Sequence, residues 1–283
     1  MKSRWVILAL VGLAAFLLLG LLPAVNIETK YRRPEQERAL HNISLALHNY
    51  HDIYNSFPPA IVYNEEGEKL YSWRVLLLPF LVSYDDESTQ GNHDWDRSTD
   101  LWDYFELRRR THVDRRIGSQ IRKFMAEFDL TQAWDSPANR HLSEMDFELY
   151  RRPNNETGAT TDYFAVTGPD TAWPLDRPTN FGDFLDGSSN SIMIVEGGDV
   201  VDVCWAEPRD LEFEKMNFKI NGPERPGIFG RATEGAYIAR ADGSTEFLSK
   251  KTDPDTIKSL LLINDAPIQT LKESTTPTIP QDR

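Results

Sequence analysis

Ala236–Leu248 reads AYIARADGSTEFL: two short apolar-rich runs separated by Ala241-Asp242-Gly243-Ser244. Asp-Gly between two such runs is a strong local signal for a tight hairpin, because both residues tolerate the positive φ that the turn requires. The stretch therefore predicts two antiparallel strands. Upstream, Asp162–Val166 ends at Thr167-Gly168-Pro169, Asp186-Gly187 precedes Ser191–Glu196, and Val200–Trp205 forms a further run. Short β-like runs punctuated by turn residues extend the hairpin into an antiparallel sheet.

Before the strands lies a segment of different period. Leu40, Ile43, Leu47, Tyr50 and Tyr54 recur at spacings of three and four, which predicts one apolar stripe on a helix over roughly residues 35–54. Pro34 suits the first turn, Glu35 and Glu37 suit the positive end of the helix dipole, and Phe57-Pro58-Pro59 ends the element. Ser72–Val82 (SWRVLLLPFLV) reads as a short apolar helix, since Pro79 excludes a central strand. Helices first and strands later predict an α+β fold, with an amphipathic helix packed on an antiparallel sheet. The polar stretch at about 84–127, with its alternating acidic and basic clusters, reads as a partly helical insertion, and 266–283 as a flexible tail.

Trp5–Val25 (WVILALVGLAAFLLLGLLPAV) carries no charge and is long enough for the roughly 20 residues that a membrane-crossing helix needs. Residues 1–4, with Lys2 and Arg4, are expected to stay in the cytoplasm, 5–25 to anchor the chain, and 34–265 to form an extracytoplasmic domain. Lys30, Arg32, Arg33 and Arg38 beyond the run weaken that orientation argument. A cleavable signal peptide is the rival reading, but Pro23-Ala24-Val25-Asn26 is a poor cleavage site and the apolar core is too long. The expected location is the inner (cytoplasmic) membrane, in a single pass.

The chain has 283 residues and a formal net charge of -13, which repels phosphate backbones and argues against nucleic acid as a partner. A membrane and proteins of the cell envelope are the expected partners. Cys204 is the sole cysteine, so no intrachain disulfide can form.

A family resemblance follows from blocks that occur in one order. Leu45-Ala46-Leu47-His48-Asn49-Tyr50-His51 with Phe57-Pro58-Pro59-Ala60, then Ser72–Pro79, Trp134-Asp135-Ser136-Pro137 with Asn139, Thr161–Pro169, Asp186–Ile192 with Glu196, Trp205 and Pro208, and Ala241–Ser244 with Phe247-Leu248, resemble the pilin-like (prepilin-related) domain-of-unknown-function 1559 family of planctomycete-type bacteria. The resemblance implies an N-terminal helix wrapped by an antiparallel sheet and no established enzymatic activity. A solute-binding label has also been attached to that family. This chain departs from it in three ways. It lacks the prepilin Phe-Thr-Leu-Ile-Glu run and any acidic residue inside the apolar segment. It lacks the usual cysteines, with Arg152 before Pro153. It reads Ala232-Thr233-Glu234-Gly235 where His-Pro-Gly-Gly is common.

Several residues invite a functional reading. His48 and His51 stand at i and i+3 on one helix face, a spacing at which two imidazoles can share a metal ion, yet two ligands do not make a site and no third can be placed. The expectation is no metal and no cofactor. His93-Asp94-Trp95-Asp96 lacks the spacing of a calcium loop. The serines of Asp186-Gly187-Ser188 and Asp242-Gly243-Ser244 lie outside any Gly-x-Ser-x-Gly elbow and read as turns. Glu196 ends an apolar strand before Gly197-Gly198 and is a weak ligand candidate, as is Asp186. Trp73, Trp134, Trp173 and Trp205 form either a sugar-stacking surface or core. No P-loop, dinucleotide fingerprint or His-Glu-x-x-His occurs, so no catalytic residue is expected. The sequence thus favours a non-enzymatic structural or interaction component of the envelope. A solute- or glycan-binding module is the alternative, and a pseudopilin-like subunit of a secretion or pilus assembly the next.

Overall fold

The structure, a computed structural model, describes residues 35–81, 115–151, 158–198 and 202–265. The expected anchor, the body of the expected insertion, the His93–Asp96 cluster and the expected tail lie outside the described residues. No helix among the described residues is long and apolar enough to cross a membrane.

The first helix, α1 (Glu35–Tyr54), has the expected bounds. Leu40, Ile43, Ala46, Leu47 and Tyr50 form its buried stripe. Asn55 ends it in the left-handed conformation, φ 55°, with its N–H donating to the His51 carbonyl. Asn is among the few non-glycine residues that tolerate this C-terminal geometry. A hairpin follows, β1 (Ile61–Tyr63) with β2 (Lys69–Ser72). Ser72 then caps α2 (Trp73–Leu77), its hydroxyl accepting from the Arg74 N–H.

The helix α3 (Arg115–Glu127) is the helical part of the stretch at about 84–127 that falls among the described residues. Ile121, Phe124 and Met125 are buried in the main core, so this stretch is structural. The polar residues of its outer face had masked the stripe. A short turn of helix, α4 (Arg140–Ser143), comes next.

The strands are β3 (Tyr163–Phe164), β4 (Val166–Thr167), β5 (Ile192–Gly198), β6 (Leu211–Glu212), β7 (Gly227–Ile228), β8 (Gly235–Arg240) and β9 (Thr245–Ser249). The central sheet runs β3-β5-β8-β9, all antiparallel, and β7 pairs with the end of β5. The β8–β9 hairpin turns at Asp242-Gly243, with Gly243 at φ 88°, as the sequence predicts. Two expectations fail. Asp162–Val166 splits at Ala165 into β3 and β4, and β4 pairs in parallel with β6, outside the central sheet. In the Val200–Trp205 run, among the described residues only Cys204 forms a β-bridge, to Thr160.

The sheet has a core on each face. Tyr237 and Ala239 of β8 belong to the α1 side, whereas Ala236 and Ile238 belong to the other, which α5 (Pro254–Leu261) covers with Ile257 and Leu261. Strand β5 breaks this alternation. Met193 and Ile194 both join the α1 side while Ile192 and Val195 join the other, and the register with β8 shifts between Ile192 and Ile194. Two adjacent residues on one face are what a β-bulge produces.

Candidate functional site

Glu196 sits where β5 exchanges neighbours. Val195 pairs with Ile238 of β8, and Gly197 pairs with Ile228 of β7. At the fork the Glu196 carboxylate accepts the Tyr237 N–H of β8 at 2.7 Å, and its carbonyl accepts the Phe229 N–H at 3.1 Å. The side chain thus supplies the acceptor that a continued strand would have provided from its backbone. Glu196 is 1 % exposed, and its bond to the Tyr237 N–H gives it a ladder-ending role.

His48 and His51 go to different partners. The His48 Nε2–H donates to the Ala241 carbonyl at 3.1 Å, tying α1 to the β8–β9 turn. The His51 ring lies between Phe57 and Phe181, at centroid distances of 4.9 and 4.4 Å. Its Nε2 is buried and finds no hydrogen-bond partner among the described residues. Burial lowers its pKa, Asp52 opposes the shift, and His48 adds to it. Among the described residues no three His, Cys, Asp or Glu side chains stand close enough to hold a metal ion.

Asp186 is a turn residue. Its carboxylate accepts the Asp265 N–H at 2.9 Å and its carbonyl accepts from the Asn190 amide at 2.7 Å. Asp242 likewise accepts from the N–H and hydroxyl of Ser244, which closes the β8–β9 turn. For three of the four tryptophans burial favours the core reading over a sugar-stacking surface. Trp73, Trp173 and Trp205 are buried, and their indole N–H groups donate to Asp210, to the Met193 carbonyl and to the Met145 carbonyl respectively. Trp205 stacks on Tyr150 at 5.9 Å and meets Phe124 and Phe147 edge-on. Trp134 packs partly buried against the same core. The Cys204 thiol is pushed up by burial, which keeps it protonated and unreactive.

Sequence reasoning missed the most polar feature of the interior. Arg74 of α2 meets Asp210 at 2.6 Å, with side chains 0 % and 2 % exposed. The guanidinium also donates to the Tyr163 carbonyl, at 2.7 and 3.1 Å, and to the Ser72 hydroxyl, at 2.8 Å. Asp210 accepts in addition from the Ala165 N–H and the Trp73 indole. Ala165 is the residue that separates β3 from β4, so the carboxylate satisfies the amide exposed at that break. Trp73 and Phe164 lie over the guanidinium at 4.6 and 5.3 Å. Burial pushes the Asp210 carboxyl up, and Arg74 with the two N–H donors opposes the rise. Four guanidinium N–H bonds go to protein atoms, so the cluster joins α2, β3 and the 202–210 segment. The signal available in sequence was an Arg inside the apolar run Ser72–Val82, whose burial demands a carboxylate.

The profile of a family described as a protein of unknown function (DUF1559), SBP_bac_10, matches residues 32–224, more than half of the chain. The chain belongs to this family. The matched span holds α1, the Arg74–Asp210 cluster and Glu196, and it ends before the β8–β9 hairpin on which α1 lies. No curated protein and no solved structure matches the chain.

Proposed function

We propose that this protein is a membrane-anchored, extracytoplasmic, non-enzymatic component of the cell envelope that works by contact. What carries the reading is the pairing of an uncharged apolar run, Trp5–Val25, with a domain whose polar candidates are committed to its own fold. Anchor and domain together fix a surface at the membrane, and the loops of the sheet present it. The amphipathic helix laid on an antiparallel sheet supports a pilin-like reading of the domain. The test is the intact mass of the mature protein from membranes and from culture medium, with crosslinking of intact cells. A full-length mass confined to membranes, with crosslinks to envelope proteins, is the expected outcome. A mass beginning near Ala24 or Asn26, or protein in the medium, would overturn the anchor.

The family's short name, SBP_bac_10, favours a second reading, a solute- or glycan-binding module. Thermal shift against a panel of sugars and ions separates the two, because a ligand that binds only the folded state raises its stability. A pseudopilin-like subunit is the third reading. It requires filament entry, and fractionation of sheared surface filaments tests it.

A further inference from the structure

We propose that the loop over residues 174–187 is a docking surface for a basic amphipathic segment of another protein, with Leu185 as its apolar anchor. The proposal deepens the contact reading above and rests on it. Leu185 is 76 % exposed, Leu175 52 % and Phe181 40 %, three large apolar side chains within eleven residues of one loop. Leu45, at 47 %, lies one helical turn before His48, against which Phe181 packs at 5.5 Å.

Such exposure in a slack loop would mean little. Here the backbone beneath it is pinned. Asn180 and Asp183 form a capping box, and Arg177 binds Asp183 at 2.8 Å. The Leu185 and Asp186 N–H groups both donate to the Ile263 carbonyl, at 2.8 and 3.2 Å. Phe184 turns inward against Phe57 at 5.9 Å, and Gly187 takes φ 91° and returns its N–H to the Phe184 carbonyl. One side chain is thus buried and the next is held outward on the same rigid turn. Pre-organised apolar groups bind well because little freedom remains to be lost.

Charge selects the occupant. Asp186 follows Leu185 and its carboxylate accepts the Asp265 N–H, and Asp170 accepts from the Asn264 amide, next to the Ile263 carbonyl that holds the Leu185 N–H. Asp176 adds a fourth acid to the loop, and the loop's cation, Arg177, is held by Asp183. Acids beside an apolar group disfavour the same loop of a second copy, which would bring like charges together, and an anionic bilayer. They fit a partner that carries cations beside an apolar patch.

The test uses the full-length protein in a mild non-ionic detergent and labelled synthetic peptides of alternating Lys and Leu, Lys and Ser, or Glu and Leu. The Lys–Leu peptide is expected to bind saturably, more weakly as salt rises, and roughly tenfold or more weakly to Leu185→Ser, in line with the loss of one buried leucine. The other two peptides are expected to bind at least tenfold more weakly than Lys–Leu. No binding, equal binding by Leu185→Ser, or equal binding of the Lys–Ser or Glu–Leu peptide overturns the proposal. Leu185-dependent binding to anionic vesicles, or Leu185-dependent self-association, overturns it in favour of a bilayer or a second copy. If the peptides fail while the cell crosslinks persist, this surface is wrong and the contact reading stands. Loss of both removes both.

Discussion

Arg74 and Asp210, separated by 136 positions in the chain, form an ion pair at 2.6 Å that is closed to solvent on both sides. Both charges are further hydrogen-bonded, which is the condition under which a buried pair holds.

Removing one partner leaves the other charge buried. Arg74→Met or Asp210→Ala is expected to cost about 3–5 kcal/mol, read by urea denaturation, whereas replacing both with apolar residues is expected to cost less than either alone. A double change that costs the sum of the two single changes would show that the pair itself matters little.

Glu196→Ala strips the Tyr237 N–H of its acceptor at the β5 fork. A buried donor left unmade costs about 1–3 kcal/mol, and Glu196→Gln, which keeps a carbonyl oxygen, is expected to cost less. Hydrogen exchange at the Tyr237 amide reports the change directly, and should quicken in the Ala variant.

His51 is expected to make stability pH-dependent. Its pKa is lowered in the fold, chiefly by burial, so the unfolded chain binds the proton more readily. Its contribution is present above the ordinary histidine value of 6.5 and is lost as pH falls below it. His51→Phe should flatten that part of the pH profile measured by thermal unfolding.

Tyr71 behaves in the opposite sense. Burial pushes its pKa up from 10.0 to about 12. Because the unfolded chain ionises first, stability is retained below pH 10 and is lost as pH rises towards 12. Tyrosinate absorbance, followed together with circular dichroism, should show ionisation of this residue coinciding with unfolding.

Gly235→Ala is expected to distort the hairpin. A methyl group there would run into the Leu248 carbonyl oxygen and the Phe247 ring, and the carbonyl cannot withdraw without loosening β8 from β9. A fall in thermal stability well beyond that of a surface Gly→Ala change is the expected result.

What the sequence reveals here depends on how local the cause is. Helix α1 was legible to the residue because its stripe repeats over about four turns, and the β8–β9 hairpin because Asp242-Gly243 dictates its turn. Helix content was expected in α3, but its place in the core was not legible, because Ile121, Phe124 and Met125 sit among arginines and lysines. The split at Ala165 and the fork at Glu196 were invisible for another reason. Each depends on a side chain supplied from far along the chain, Asp210 in one case and a strand 41 residues away in the other. The histidines were correctly placed on one face, but their partners, Ala241 and Phe181, come from loops whose approach no spacing encodes.

The seat of α1 has a consequence for the order of events in synthesis. The helix leaves the ribosome near the start of the chain, yet its sheet contacts, His48 to Ala241 and Glu37 to Thr245, bridge 193 and 208 positions. Loops of that length close slowly, since contacts between distant residues retard folding. Trp73–Phe80 can cover part of the amphipathic stripe early, with Tyr50 against Phe80 at 5.5 Å, but its sheet-facing part waits for the β8–β9 hairpin, near the end of the described residues.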